Sequence, residues 1–76
     1  MIIEGKLIEI METFPLQLSI ETEDKKKHTV TLDPNANTIK QGKTLDVNKL
    51  KLEQQIRVKG KTLKSGANII ESIEIL

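Results

Sequence analysis

Five short runs in which apolar and polar residues alternate, separated by stretches that contain turn formers, confine this 76-residue chain to β structure. Leu16, Leu18 and Ile20 alternate with Gln17, Ser19 and Glu21, the period of a strand with one buried face. Before them, Ile3, Gly5 and Leu7 share one phase and Ile8 and Ile10 the other. A phase change beside a glycine predicts a first strand that bends or bulges. Thr13-Phe14-Pro15 interrupts the two runs, and Phe14 is expected to close one end of the core. Glu23-Asp24-Lys25-Lys26 forms a polar turn, and His28, Val30 and Leu32 then share a face, so the second and third runs read as a hairpin. Asp33-Pro34-Asn35-Ala36-Asn37 is dense in turn formers and is predicted to stop the third strand.

In the stretch 38–53, Asp46 can cap a single helical turn over Val47-Asn48-Lys49-Leu50; Gly42 and the β-branched residues argue against anything longer. Gln54 to Leu63 alternates through Ile56, Val58 and Gly60. Lys64-Ser65-Gly66-Ala67 turns the chain into a last strand with Ile69, Ile73 and Ile75 on one face and Ile70 and Leu76 on the other. The second face is apolar enough to cover a barrel end or meet a second copy. The reading is all-β: one domain over residues 1–76, a five-stranded OB-like barrel with at most a one-turn helix between strands three and four. Its expected core is Ile3, Leu7, Leu18, Ile20, Val30, Leu32, Leu50, Ile56, Val58 and Ile73.

The strings Thr38-Ile39-Lys40-Gln41-Gly42-Lys43 and Leu50-Lys51-Leu52-Glu53-Gln54-Gln55-Ile56-Arg57-Val58-Lys59-Gly60 resemble a family of small microbial OB-like β-barrel domains of unknown function. The resemblance implies a first strand with an early glycine, here Gly5, then a hairpin, a Thr-x-Ile segment, and a Val-x-Val-x-Gly strand. The family usually has Gly at the turn before that strand, where this chain has Glu53. If the turn requires a positive φ, Glu53 costs about 1 kcal/mol relative to glycine. Periplasmic copper-chaperone barrels are similar in outline, but they hold metal through clustered Met, His and Trp. Met1, Met11 and His28 are too few to carry copper binding over.

A chain this short buries only about 60 to 65% of its unfolded surface, so it has one core and no second lobe. Without cysteine it has neither disulfides nor a thiol nucleophile. No apolar run reaches the roughly 20 residues of a spanning helix, and Met1 to Lys6 does not read as an intact signal peptide, which leaves a mature secreted fragment with an added Met as an alternative and the compartment open. Charge is uneven: residues 1–24 hold one Lys against six acids, and residues 25–64 eleven basic groups against three acids. The basic cluster Lys25, Lys26, Lys27, Arg57, Lys59 and Lys61, with Lys64 beside it, is the one candidate contact site for nucleic acid or a partner. Opposing that use, Phe14 is the only aromatic residue, and stacking platforms supply about 1 to 3 kcal/mol per base in single-strand binders. Cross-strand pairing of Arg57 and Lys59 with Glu4 and Glu9 would also neutralise the cluster.

The remaining motifs resolve into turns. Asp33-Pro34-Asn35-Ala36-Asn37 opens like a calcium loop, but Thr38 replaces its glycine, Thr44 its bidentate glutamate, and Lys40 and Lys43 repel a cation. Gly42-Lys43-Thr44 and Gly60-Lys61-Thr62 end like a phosphate loop, but Asn37 and Gln55 stand where its first glycine belongs. His28 has no His or Cys partner, and Ser19, Ser65 and Ser72 lack a nucleophile motif. The expectation is a non-catalytic binding or structural module with no cofactor or metal, contacting a protein partner or itself. Weak, sequence-nonspecific nucleic-acid binding through the lysines is the alternative.

Overall fold

The computed structural model describes residues 1–46 and 49–76. Among them, six strands follow one another: β1 (Ile2–Met11), β2 (Gln17–Glu21), β3 (Lys27–Lys40), β4 (Lys43–Leu45), β5 (Gln55–Thr62) and β6 (Asn68–Ile75). Their order is β2-β1-β5-β6-β3-β4, and β2 also pairs with β3, so β1, β2, β3, β6 and β5 close a ring that leaves β4 outside. Only β3 and β6 run parallel. The result is a small, closed, mixed OB-like barrel with one extra strand. Its core is aliphatic: Leu7, Leu18, Ile20, Val30, Leu32, Leu50, Ile56, Val58, Ile70, Ile73 and Ile75 are buried. Nine of the ten expected core residues are among these, and Ile3 packs against them partly exposed.

The phase change in β1 is a bulge. Leu7 pairs with Ile20 and Glu9 with Ser19, so Ile8 is the extra residue and Ile10 returns to the inner face opposite Leu18. A second shift corrects the reading of β6. Lys59 pairs with Ser72 but Gly60 with Ile70, which leaves Glu71 as the extra residue and turns Ile70 inward. Ile70 is therefore fully buried rather than on the outer face, and the half-buried Ile69 lies outside that core. Alternation cannot be carried across an inserted residue, because each insertion inverts the facing of every residue beyond it.

Two turn-rich stretches behave differently from expectation. Asp33-Pro34 does not end the third strand; β3 continues to Lys40. The proline fits because the ladder with β6 is interrupted between Leu32 and Asn37, where no strand partner needs its missing N–H. The Asp33 carboxylate accepts the Asn35 N–H at 2.8 Å within that gap. Phe14 does not plug the core. It is 96% exposed, and Leu16 packs against the barrel instead. Beyond β3, Gln41 and Gly42 (φ 52° and 78°) make a two-residue turn that closes on Lys40 and Lys43. Two successive positive φ values are those of the hairpin turn whose twist matches its strands, and this turn creates β4. The expected helical turn after Asp46 falls partly on Val47 and Asn48, which lie outside the described residues. Lys49 N–H reaches the Asp46 carbonyl at 2.9 Å.

Glu53 has φ 73°, so the turn before β5 does require the left-handed region. Its N–H donates to the Leu7 carbonyl and so anchors that turn to β1. Glu53→Gly should raise stability by about 0.5 to 1 kcal/mol, because a side chain there costs about 1 kcal/mol and glycine's greater unfolded entropy offsets part of the relief. Denaturant unfolding at constant m-value checks this; a loss of stability would show that the Glu53 side chain itself supports the fold.

Candidate interaction surfaces

The six candidate cations divide into two groups instead of one stripe. Lys25, Lys26 and Lys27 occupy the β2–β3 hairpin, where Glu21 pairs with Lys27 in the ladder. Thr22 organises the turn. Its carbonyl accepts the Lys25 N–H and its N–H reaches the Lys26 carbonyl, both at 3.0 Å. Its hydroxyl donates to Asp24, which holds that carboxyl below the usual aspartate range, assisted by the Lys26 N–H and ammonium. Lys26 Nζ lies 4.0 Å from Asp24, an exposed contact of little energetic weight. Lys25, with φ 65°, and Lys27 form no ion pair among the described residues.

On the outer face of β5, Arg57 is held from both sides. Its Nε lies 3.3 Å from Glu4 on β1 and its Nη1 2.9 Å from Glu74 on β6. The two carboxylates raise its pKa, Glu4 contributing most. The expected pairing with Glu4 is present, and the second partner, Glu74, follows from the ladder that sets it opposite Arg57. The pairing expected between Lys59 and Glu9 is absent. β5 pairs with β1 only from Ile2 to Lys6, so Lys59 faces Ile2, while Glu9 lies farther along and pairs with Ser19 on β2. Lys59 and Lys61 have no ion-pair partner among the described residues.

Between the two cationic groups lies a cleft of about 630 Å³. The β1–β2 ladder begins only at Lys6 and Glu21, and the chain then turns away at Thr22, so Ile2 to Gly5 form one wall of the gap. Thr22, Glu23, Asp24 and His28 line the other, with Gln55 beside them. His28 is thus a half-buried cleft residue. Glu4, Glu23 and Asp24 line this space, but Glu4 meets Arg57 and Asp24 meets Lys26, and Lys6 and Lys25 line the hollow beside it, so acid and base are interleaved here rather than forming a continuous basic track. Among the described residues, no group of three or more His, Asp or Glu side chains is placed to hold a metal ion. None of their helices is long and apolar enough to cross a membrane.

The feature that sequence reasoning missed is the tip of the β1–β2 loop. Thr13 N–H donates to the Met11 carbonyl at 2.8 Å, and the Thr13 hydroxyl donates to the Pro15 carbonyl at 2.8 Å. These bonds close the loop on itself and leave Phe14 projecting into solvent. A signal was available: an aromatic residue between Thr and Pro, outside every alternating run, has no phase that assigns it to the interior. No family model, no curated protein and no solved structure matches this chain at a significant level.

Proposed function

We propose that this barrel is a non-catalytic protein-binding module whose anchor is Phe14. The observation that carries this reading is the placement of the only aromatic side chain, 96% exposed on a loop braced by its neighbours. Aromatic residues held rigidly at the centre of a contact dominate binding energies, because they bury a large area at little entropic cost. The exposed Leu52 and Leu63 also sit on turns closed by hydrogen bonds, but they are 54% and 42% exposed against 96% for Phe14, and neither is aromatic. The resemblance of residues 38–43 and 50–60 to small microbial OB-like domains supports placing the chain among them. It adds no activity, because the matching residues build strands and turns.

Phe14→Ala should leave stability within about 0.5 kcal/mol, as surface substitutions usually do. In pull-downs from the native cells it should lose the single protein that the wild type retains. Equal retention by both would remove Phe14 as the anchor. Weak nucleic-acid binding is the second reading, favoured by Lys25, Lys27, Lys59 and Lys61, which have no ion-pair partner among the described residues. It predicts association with a labelled oligonucleotide that falls steeply with salt and is lost in a Lys25→Glu, Lys27→Glu variant. With Phe14 the only aromatic residue and Arg57 held by two carboxylates, the expected affinity at physiological salt is weaker than about 10 µM. Tight binding that this variant abolishes would reverse the order of the two readings.

A further inference from the structure

Building on the reading of Phe14 as the anchor, we infer that the Thr13 hydroxyl is its positioning group. By donating to the Pro15 carbonyl, it holds the loop in the shape that presents the ring before any partner arrives. An aromatic side chain on a mobile loop must be ordered as it docks, and that ordering subtracts from the affinity its buried area supplies. A loop already held has less freedom to lose, so whatever orders it sets how well the anchor works.

The bonds that supply that order are few. β1 and β2 are tied as far as Met11 and Gln17, which face each other in the ladder. Leu16 is held as well: its carbonyl accepts the Leu32 N–H at 2.8 Å, and its side chain packs against the core. Between these fixed ends lie Glu12 to Pro15, all of them exposed. Among the described residues, every hydrogen bond made by that stretch involves Thr13, and none involves Phe14 itself. The Thr13 N–H reaches only backwards, to the Met11 carbonyl. Its hydroxyl oxygen lies 2.8 Å from the Pro15 carbonyl oxygen and 3.5 Å from that of Met11, so its single proton goes to Pro15. This bond spans Phe14, joining the residue before it to the residue after it. Pro15 has no N–H and can answer only through its carbonyl. A bond of this kind competes with water at an exposed site, and its net worth shifts a local equilibrium by about three- to tenfold.

Backbone relaxation measured by nuclear magnetic resonance on the free protein tests the positioning without any partner. The Phe14 amide should have an order parameter of about 0.8 in the wild type and in Thr13→Ser, which keeps the donor. In Thr13→Val, which keeps the branched shape and lacks the donor, it should fall below about 0.6. Order parameters in β1 and β2 should be unchanged, which confines the effect to the loop. With each chain as bait in a lysate of the native cells, half-retention of the protein bound by the wild type should need about three- to tenfold more Thr13→Val, and no more Thr13→Ser. Retention by Phe14→Ala equal to the wild type would sink the anchor reading alone, since the relaxation contrast is read on the free protein. A Phe14 amide that is mobile in the wild type, stays ordered in Thr13→Val or is mobile in Thr13→Ser would overturn the positioning role. So would a loss of order spreading into β1 and β2, or unchanged retention by Thr13→Val where Phe14→Ala loses the protein.

Discussion

Gly60→Ala should cost about 3 kcal/mol or more, the upper part of the range for forcing an added methyl into a packed site. A Cβ built at Gly60 would lie 1.9 Å from the Ile69 carbonyl oxygen and 2.8 Å from its carbon. Both are backbone atoms, so no side chain can rotate away, and relief requires parting β5 from β6 at their bulge. A 76-residue domain has only about 4 to 11 kcal/mol of net stability, so the variant should unfold at a much lower denaturant midpoint or be found largely unfolded. A loss below about 1 kcal/mol would show that the bulge can slide and that the close approach is not held firmly.

Ile73→Ala should cost about 3 to 4 kcal/mol, for a different reason. Ile73 is fully buried and lies opposite Val58 on one side and Thr38 on the other, so it touches both ladders of β6 at the middle of the barrel. Truncation removes three carbons of buried apolar surface and leaves a cavity that neighbours committed to two ladders cannot collapse to fill. Ile2→Ala, at a residue 65% exposed, should cost less than about 0.5 kcal/mol and serves as the control. Equal costs at the two positions, measured by denaturant unfolding, would show that the facing of β6 is other than described.

Residues facing one way along an unbroken strand were legible in the sequence. Leu18 and Ile20, Val30 and Leu32, and Ile56 and Val58 all lie inside, where the period of two puts them. The bulge of β1 was legible too, because Gly5 and the shift from Leu7 to Ile8 announce it locally. Glu71 announces nothing. The bulge at that position is defined by how β6 meets Gly60, a partner from another strand, and so the burial of Ile70 could not be read from its neighbours. Pro34 misled for a related reason: proline forbids a ladder bond, but whether a bond is required there depends on where β6 pairs. For the candidate site, the identity of the cations was visible and their grouping was not. Arg57 has Glu74 as a partner only because β6 lies beside β5, and the cleft exists only because β2 stops at Glu21.

The place of β6 in the ring also governs the order in which the barrel can be made. It enters between β3 and β5, pairing Ile69 with Thr31 on one side and with Lys61 on the other. Until β6 docks, β3 and β5 cannot meet, and each keeps a bare flank along the residues that β6 later covers. Any opening that frees β6 therefore uncovers two strand flanks at once, the backbone most able to pair with another chain.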